Sequence, residues 1–304
     1  MPRALRAPRR HKGLLAALGA ALLASAIGAP AAMAGLLTPE HGGSPNANDI
    51  NTLYIIVLVL AAIIFVGVEG ALIYSMIKFR ARRGAVAAQI RGNTRLEVGW
   101  TIGAAVILVV LASVTFAMLP GIRDPQNSDP SGLKIASSGG VLYATGPSNR
   151  LPPNGKSLQI CVNGQQYIWR FTYGSDCRSS PLTSVFSYED MIVPTGTTVT
   201  LSIQAQDVAH SWWVPKLGGK FDAVPGYTNY TWFKIPHGME GQIFRGQCAE
   251  LCGRNHANMI AHVRAVSPSQ FEAWLASKKA QLQAADKAAA ISRAKLNKNP
   301  QATP

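Results

Sequence analysis

Two long unbroken apolar runs, followed by a series of short alternating ones, divide the chain. Leu53–Ile77 reads LYIIVLVLAAIIFVGVEGALIYSMI and Val98–Leu119 reads VGWTIGAAVILVVLASVTFAML. Each exceeds the roughly 18 apolar residues that mark a spanning helix. The first helix is expected to start near Asn48 to Thr52, where Asn48, Asp49, Asn51 and Thr52 offer capping oxygens. The second is expected to stop at Pro120-Gly121. Glu69 falls inside the first span. An ionised carboxylate facing lipid costs several kcal/mol, so it should face a partner helix, be protonated or be hydrogen-bonded within a bundle.

A shorter apolar run, Leu14–Ile27, follows the basic stretch Arg3–Lys12 and precedes Ala32-Met33-Ala34. That order predicts a signal peptide over 1–34, cleaved after Ala34. The alternative, a first membrane helix, is disfavoured because the run is well short of the roughly 20 residues needed to span. Residues 35–52 are then an exported N-terminal segment, and 53–119 a helical hairpin around the loop 78–97. Residues 120–155, rich in Pro, Gly, Ser and Asn, read as linker or irregular surface.

From residue 156 to 267 the period becomes that of strands: SLQICV, QYIWRFTY, TTVTLSIQA, TNYTWFKI, GQIFRGQCAE and IAHVRAV. Asn163-Gly164, Pro194-Thr195-Gly196, Pro225-Gly226 and Pro236-His237-Gly238 separate them. This spacing predicts an all-β sandwich or barrel with one core. Pro268, at a helix N1 position, opens an Ala- and Lys-rich basic tail over 268–304 that should fray near Asn297. No internal repeat is visible.

Composition refines this picture. The chain has 304 residues, 14% of them charged, against roughly 25% in soluble domains. The formal charge of +14 invites a nucleic-acid reading, so its placement matters. Residues 1–34 carry +5, 35–77 carry −3, 78–97 carry +5 and the tail from Pro268 carries +4, leaving +3 for 120–267. Base that flanks apolar runs is a topology signal, and no nucleic-acid partner is expected. Six basic side chains in the hairpin loop (Lys78, Arg80, Arg82, Arg83, Arg91 and Arg95) put it on the cytoplasmic side. Both ends of the hairpin, and the β domain, then face outwards across a lipid bilayer.

The chemistry concentrates in Cys248-Ala-Glu250-Leu-Cys252-Gly-Arg-Asn-His256-Ala-Asn-Met259. From Cys252 this is C-x3-H-x2-M: a thiolate, an imidazole and a thioether on one loop, a soft set suited to copper electron transfer. A second imidazole is needed, and His210, just beyond the run Val199–Ala209, is placed to supply it. Cys248 adds a second thiolate, and two bridging thiolates can hold two metal ions. A Cys248–Cys252 disulfide and a closed tetrahedral zinc site are the competing readings. The disulfide leaves His256 and Met259 unexplained, and zinc has little use for Met.

With Asp207-Val-Ala-His210-Ser-Trp-Trp-Val-Pro and Gly219-Lys-Phe-Asp222-Ala-Val-Pro-Gly226, this loop makes the chain resemble subunit II of the haem–copper cytochrome c oxidases over residues 50–265. The resemblance implies a two-helix transmembrane hairpin plus an all-β cupredoxin-like domain with a C-terminal helix. It implies a CuA centre of two copper ions bridged by Cys248 and Cys252. His210 and His256 would each bind one copper, with Met259 and the Glu250 carbonyl as the remaining ligands. The Glu250 side chain would reach a Mg2+ or Mn2+ shared with subunit I, or else be a solvated loop carboxylate. Glu97-Val-Gly-Trp100-Thr101 matches the family's E-x-x-W-T, which makes Glu97 a candidate for the mouth of a proton pathway; an interfacial charge is the other reading.

The resemblance further implies electron transfer from cytochrome c to the haem and copper of subunit I, where O2 is reduced to water with proton pumping. Subunits I and III are the implied partners, in a bacterial plasma membrane, with the β domain on the periplasmic face and no active site for oxygen chemistry in this chain. The family segment G-x-Q-W-x-W appears as Gly164-Gln-Gln-Tyr167-Ile-Trp169, so Tyr167 takes the place of the tryptophan through which electrons arrive, with Trp169 behind it. At +3 the β domain is not acidic, whereas relatives steer a basic donor with carboxylates; weak salt dependence of donor oxidation is expected. Cys161 and Cys177 have no family role, and in an oxidising compartment they are expected to pair. No C-x-x-C-H haem attachment site occurs in these residues. The rival functions are a free-standing membrane-tethered copper electron carrier, a quinol oxidase subunit, whose relatives lack the copper ligands, and a copper chaperone.

Overall fold

A computed structural model of the chain describes residues 37–80, 84, 86, 89–133, 151–174, 177 and 184–298. The expected signal peptide lies outside them. All helices and strands among the described residues lie in the compact unit His41–Pro304.

Helix α1 spans Pro45–Lys78 and α2 spans Thr94–Arg123. Both are longer than their apolar runs. α1 begins at Ser44-Pro45, ahead of the expected Asn48–Thr52, because Ser44 takes the N-cap position and Pro45 brings a φ already suited to N1. Its first turns are polar because they pack on protein rather than lipid: Asn46, Ala47 and Asn51 are buried. α2 runs on past Pro120, where the helix was expected to end. One missing N–H does not stop it, and Asp124 N–H closes the last turn on the Pro120 carbonyl at 2.8 Å. At its other end Asn93 Oδ1 accepts from Leu96 N–H (3.2 Å), while Glu97 accepts from Asn93 N–H (3.3 Å). Glu97 therefore caps its own helix, a structural task beside any functional one. The central apolar stretches of both helices are left bare by the rest of the chain, as lipid-facing spans must be. Glu69 is half-buried.

The β domain is a sandwich of two five-stranded mixed sheets. One holds β3 (Phe186–Tyr188), β2 (Ile168–Tyr173), β1 (Leu158–Gln165), β5 (Thr198–Ala205) and β8 (Asn229–Lys234), in that order. The other holds β4 (Asp190–Pro194), β10 (Ile260–Val266), β9 (Ile243–Cys248), β6 (His210–Trp213) and β7 (Phe221–Ala223). β1/β5 and β4/β10 are parallel; the other pairs are antiparallel. The period-2 pattern decides what is inside. In β10, Ala261, Val263 and Ala265 are buried while Ile260, His262 and Arg264 point outwards. Trp169, Phe171, Leu158, Ile160, Leu201 and Phe233 fill the space between the sheets.

The break expected at Asn163-Gly164 lies inside β1, and the chain turns instead at Gln166-Tyr167, within the run QYIWRFTY expected as a strand. Gly164 and Gln165 end β1, Gln166 and Tyr167 turn, and Ile168 starts β2, with Gln165 opposite Ile168. Tyr167 thus stands at a hairpin tip. A disulfide joins Cys161 to Cys177, 16 residues apart. Closing a loop of that size stabilises a fold by about 3 kcal/mol in the chain-entropy account.

Helix α3 (Pro268–Lys298) docks by its first turns: Phe271 is fully buried and forms an aromatic trio with Tyr173 and Trp274. Residues 283–295 are exposed.

The two outer ends of the helical hairpin are tied into this domain. Asn46 Nδ2 donates to the Trp232 carbonyl (2.8 Å), Lys234 N–H to Ser44 Oγ (3.1 Å) and Trp232 Nε1 to the Ile122 carbonyl (3.1 Å). The described part of the segment read as linker is strapped down as well. Thr198 Oγ1 donates to the Gln126 carbonyl (2.6 Å), Thr198 N–H to Ser128 Oγ (2.9 Å) and Leu133 N–H to Thr197 Oγ1 (2.8 Å). Its Ser and Asp residues, which read as loop composition, are the groups that fasten it: Asp129 also pairs with Lys234 at 2.9 Å.

Candidate metal centre

Two neighbouring strands of the second sheet bring the donors together. β6 starts with His210 and β9 ends with Cys248, and their register sets Trp212 opposite Cys248. The loop after Cys248 returns as β10, and Cys248 N–H bonds the Met259 carbonyl at 2.9 Å, so Met259 comes back beside the cysteine where the loop began. Within the loop, Gly253 at φ +132 makes a turn that L side chains rarely adopt. His256 then lies on a single 3-10 turn, His256–Asn258, and faces inwards.

The sequence-predicted ligands converge. The sulfurs of Cys248 and Cys252 lie 3.9 Å apart, so the two are free thiols and not the disulfide that sequence left open. His210 Nδ1 is 3.8 Å from Cys248 Sγ, His256 Nδ1 is 3.6 Å from Cys252 Sγ, and Met259 Sδ is 3.9 Å from Cys252 Sγ. The Glu250 carbonyl is 3.3 Å from Cys248 Sγ, while its side chain is exposed. His210 is fully buried, Met259 is 1% exposed and each cysteine 4%. A pocket of two thiols, two imidazole nitrogens and a thioether is a soft donor set, the kind that takes copper in preference to hard cations. His210, Cys248 and Cys252 alone place three ligand atoms within 4.8 Å of one another.

Burial, reinforced by the neighbouring Cys248, pushes the Cys252 thiol up to about 11. Without a cation Cys252 therefore keeps its proton, and a bound cation has to displace it.

The loop motif alone gave no role to Asp207. Its Oδ1 lies 2.9 Å from His210 Nε2, which turns Nδ1 towards the sulfurs. Partial burial acts to raise this carboxyl, but hydrogen bonds from Gln166 N–H, His210 and Val208 N–H outweigh it and hold it below the usual carboxylate range.

Tyr167 is half-buried at the hairpin tip, against Gly253: a Cβ on that glycine would fall 2.6 Å from the tyrosine hydroxyl. Trp169 does not reach the surface; it is completely buried, edge-on to the His210 ring at a centroid distance of 5.9 Å. Glu97 stands exposed at the start of α2 and has no part in this cluster.

Fold and site together define a membrane-anchored protein whose cupredoxin-like domain carries a buried cysteine–histidine–methionine centre. Residues 32–118 match the family described as cytochrome c oxidase subunit II, transmembrane domain, and 174–266 match its periplasmic domain. The chain is 32% identical to cytochrome c oxidase subunit 2 of Cereibacter sphaeroides, an alignment covering 88% of this chain and 92% of that one. It is 30% identical to cytochrome c oxidase subunit 2 of Alkalihalophilus pseudofirmus over 81% of its own length, and spans 64% of that relative. The crystal structure of the periplasmic domain of subunit II of cytochrome oxidase (CoxB) of Bradyrhizobium japonicum is 28% identical over 41% of this chain and 95% of that one, with a TM-score of 0.36. The chain belongs to the cytochrome c oxidase subunit II family.

Proposed function

We propose that this chain is the electron-accepting subunit of a proton-pumping cytochrome c oxidase in a bacterial plasma membrane. It takes single electrons from cytochrome c on the periplasmic side and delivers them to the haem and copper of subunit I, within a complex that also holds subunit III. The observation that carries this reading is the buried convergence of two thiols 3.9 Å apart with two imidazoles, a thioether and a carbonyl. One metal ion needs fewer donors than this.

In this reading Cys248, Cys252, His210, His256, Met259 and the Glu250 carbonyl would together hold two copper ions. Bound copper supplies a one-electron couple, and shared sulfurs spread its change of charge. The chain's own residues do the rest. Burial keeps water away from the donors, and Asp207 fixes the His210 ring. The β9–β10 pairing holds both ends of the loop, so little has to move when charge changes. Tyr167, exposed in part beside the loop, is the contact for the donor, and Trp169 lies behind His210 as an inner relay. The Glu250 side chain, free on the surface, is available to a Mg2+ or Mn2+ at the boundary with subunit I. Glu97, at the loop end of α2, is available to collect protons at the cytoplasmic face.

Copper content and the EPR spectrum of the purified full chain test the proposal. Two copper ions per chain sharing one unpaired electron are expected; a single ion with an ordinary mononuclear spectrum would refute it. Because the β domain lacks an acidic surface, donor oxidation should also change little between low and physiological salt. A steep fall would show that charge steering dominates after all.

A further inference from the structure

Gln166 lies at the β1–β2 hairpin tip, exposed, with neither sulfur nor imidazole to offer a metal. It nevertheless touches both halves of the centre. Its backbone N–H donates to Asp207 Oδ2 at 2.6 Å, and Asp207 in turn holds His210. Its side-chain Nε2 donates to the Cys252 carbonyl at 2.7 Å, on the loop that carries the other ligands. These partners are 41 and 86 residues away in sequence, on the β5–β6 and β9–β10 loops. The fit is close: a Cβ on Gly253 would fall 3.0 Å from Gln166 Nε2, so the bare glycine is what lets the tip lie on the loop.

We infer that Gln166 is a positioning residue, a clasp that sets the His210 half of the metal centre against the Cys252 half. The inference rests on the reading of this cluster as the copper centre and adds to it a residue that binds no metal. β6 and β9 fix His210 and Cys248 through the sheet, but Cys252 and His256 sit out on the loop. Among the described residues, the Gln166 amide is the bond that ties this loop to the first sheet at Cys252.

The test uses the full chain, with Gln166→Ala, Gln166→Met, which keeps the bulk but not the bond, and Gln165→Ala as a control on the same hairpin. In the metal-free protein the buried thiols react with iodoacetamide only when the loop opens. Loss of one hydrogen bond should speed alkylation of Cys248 and Cys252 by about fivefold in both Gln166 variants and leave the control unchanged. In the copper-loaded protein the same two variants should show an altered hyperfine pattern and a shifted midpoint potential. Unchanged alkylation in a folded variant would overturn the inference. Faster alkylation with an unaltered spectrum and potential would make Gln166 a mere loop staple, and overturn it too. Should the wild-type chain itself take up no copper, the functional reading fails instead, and the alkylation rates alone then decide whether the clasp exists.

Discussion

Replacement of Cys248 by serine is expected to leave at most one copper ion per chain and to abolish the two-copper EPR signature. Even a group outside the ligand set is typically worth 10–100-fold in metal affinity, so removal of a bridging donor should cost more than about 100-fold. A serine hydroxyl is a hard donor that does not ionise in a pocket this dry. It would sit 4% exposed beside a second sulfur with nothing to share. Copper analysis of the full chain, with the Cys161/Cys177 double alanine variant as a control for general loss of thiol chemistry, reads the result directly. An unchanged copper count in Cys248→Ser would remove the cysteine from the centre.

The second large effect concerns the core. Trp169 is fully buried among the sheets and forms the wall behind His210. Trp169→Ala should destabilise the β domain by about 3–5 kcal/mol, the usual cost of an aromatic cavity in a close-packed interior. Thermal unfolding in detergent should show a midpoint lower by roughly 10 °C. Trp169→Phe, which keeps most of the volume, should lose much less. A Trp169→Ala midpoint within a degree or two of wild type would mean the core closes over the gap, and the wall behind His210 would then count for little.

The ligand loop was legible in sequence because its donors are neighbours: Cys248, Cys252, His256 and Met259 lie within one turn-and-return segment, and their spacing is itself the motif. His210 was legible because it follows a strand-like run and sits inside a second motif. Asp207 and Gln166 were not. Both stand inside motifs visible in the sequence, but Asp207 drew no role beside His210 three residues on, and the partners of Gln166 lie 41 and 86 residues away, brought near only by folding. The hairpin turn, expected at Asn163-Gly164, was misplaced from Gln166–Tyr167 for a local reason. The turn contains no Gly, Pro, Asn or Asp, and the aromatic alternation continues straight through it. The helix ends were displaced for another. Apolar runs mark where lipid begins, whereas α1 and α2 go on past it until their polar turns meet the β domain. The membrane hairpin, the all-β class and the start of α3 at Pro268 all followed from period and punctuation.

The ties among Ser44, Asn46, Ile122, Trp232 and Lys234 have a consequence for how electrons can travel. A redox group on a slack leash has to wait for diffusion to carry it within tunnelling range of its acceptor, and turnover then reflects the leash. Here three hydrogen bonds join the anchor to the domain that carries the pocket, so under the proposed function the gap to an acceptor embedded in the bilayer is built in at folding.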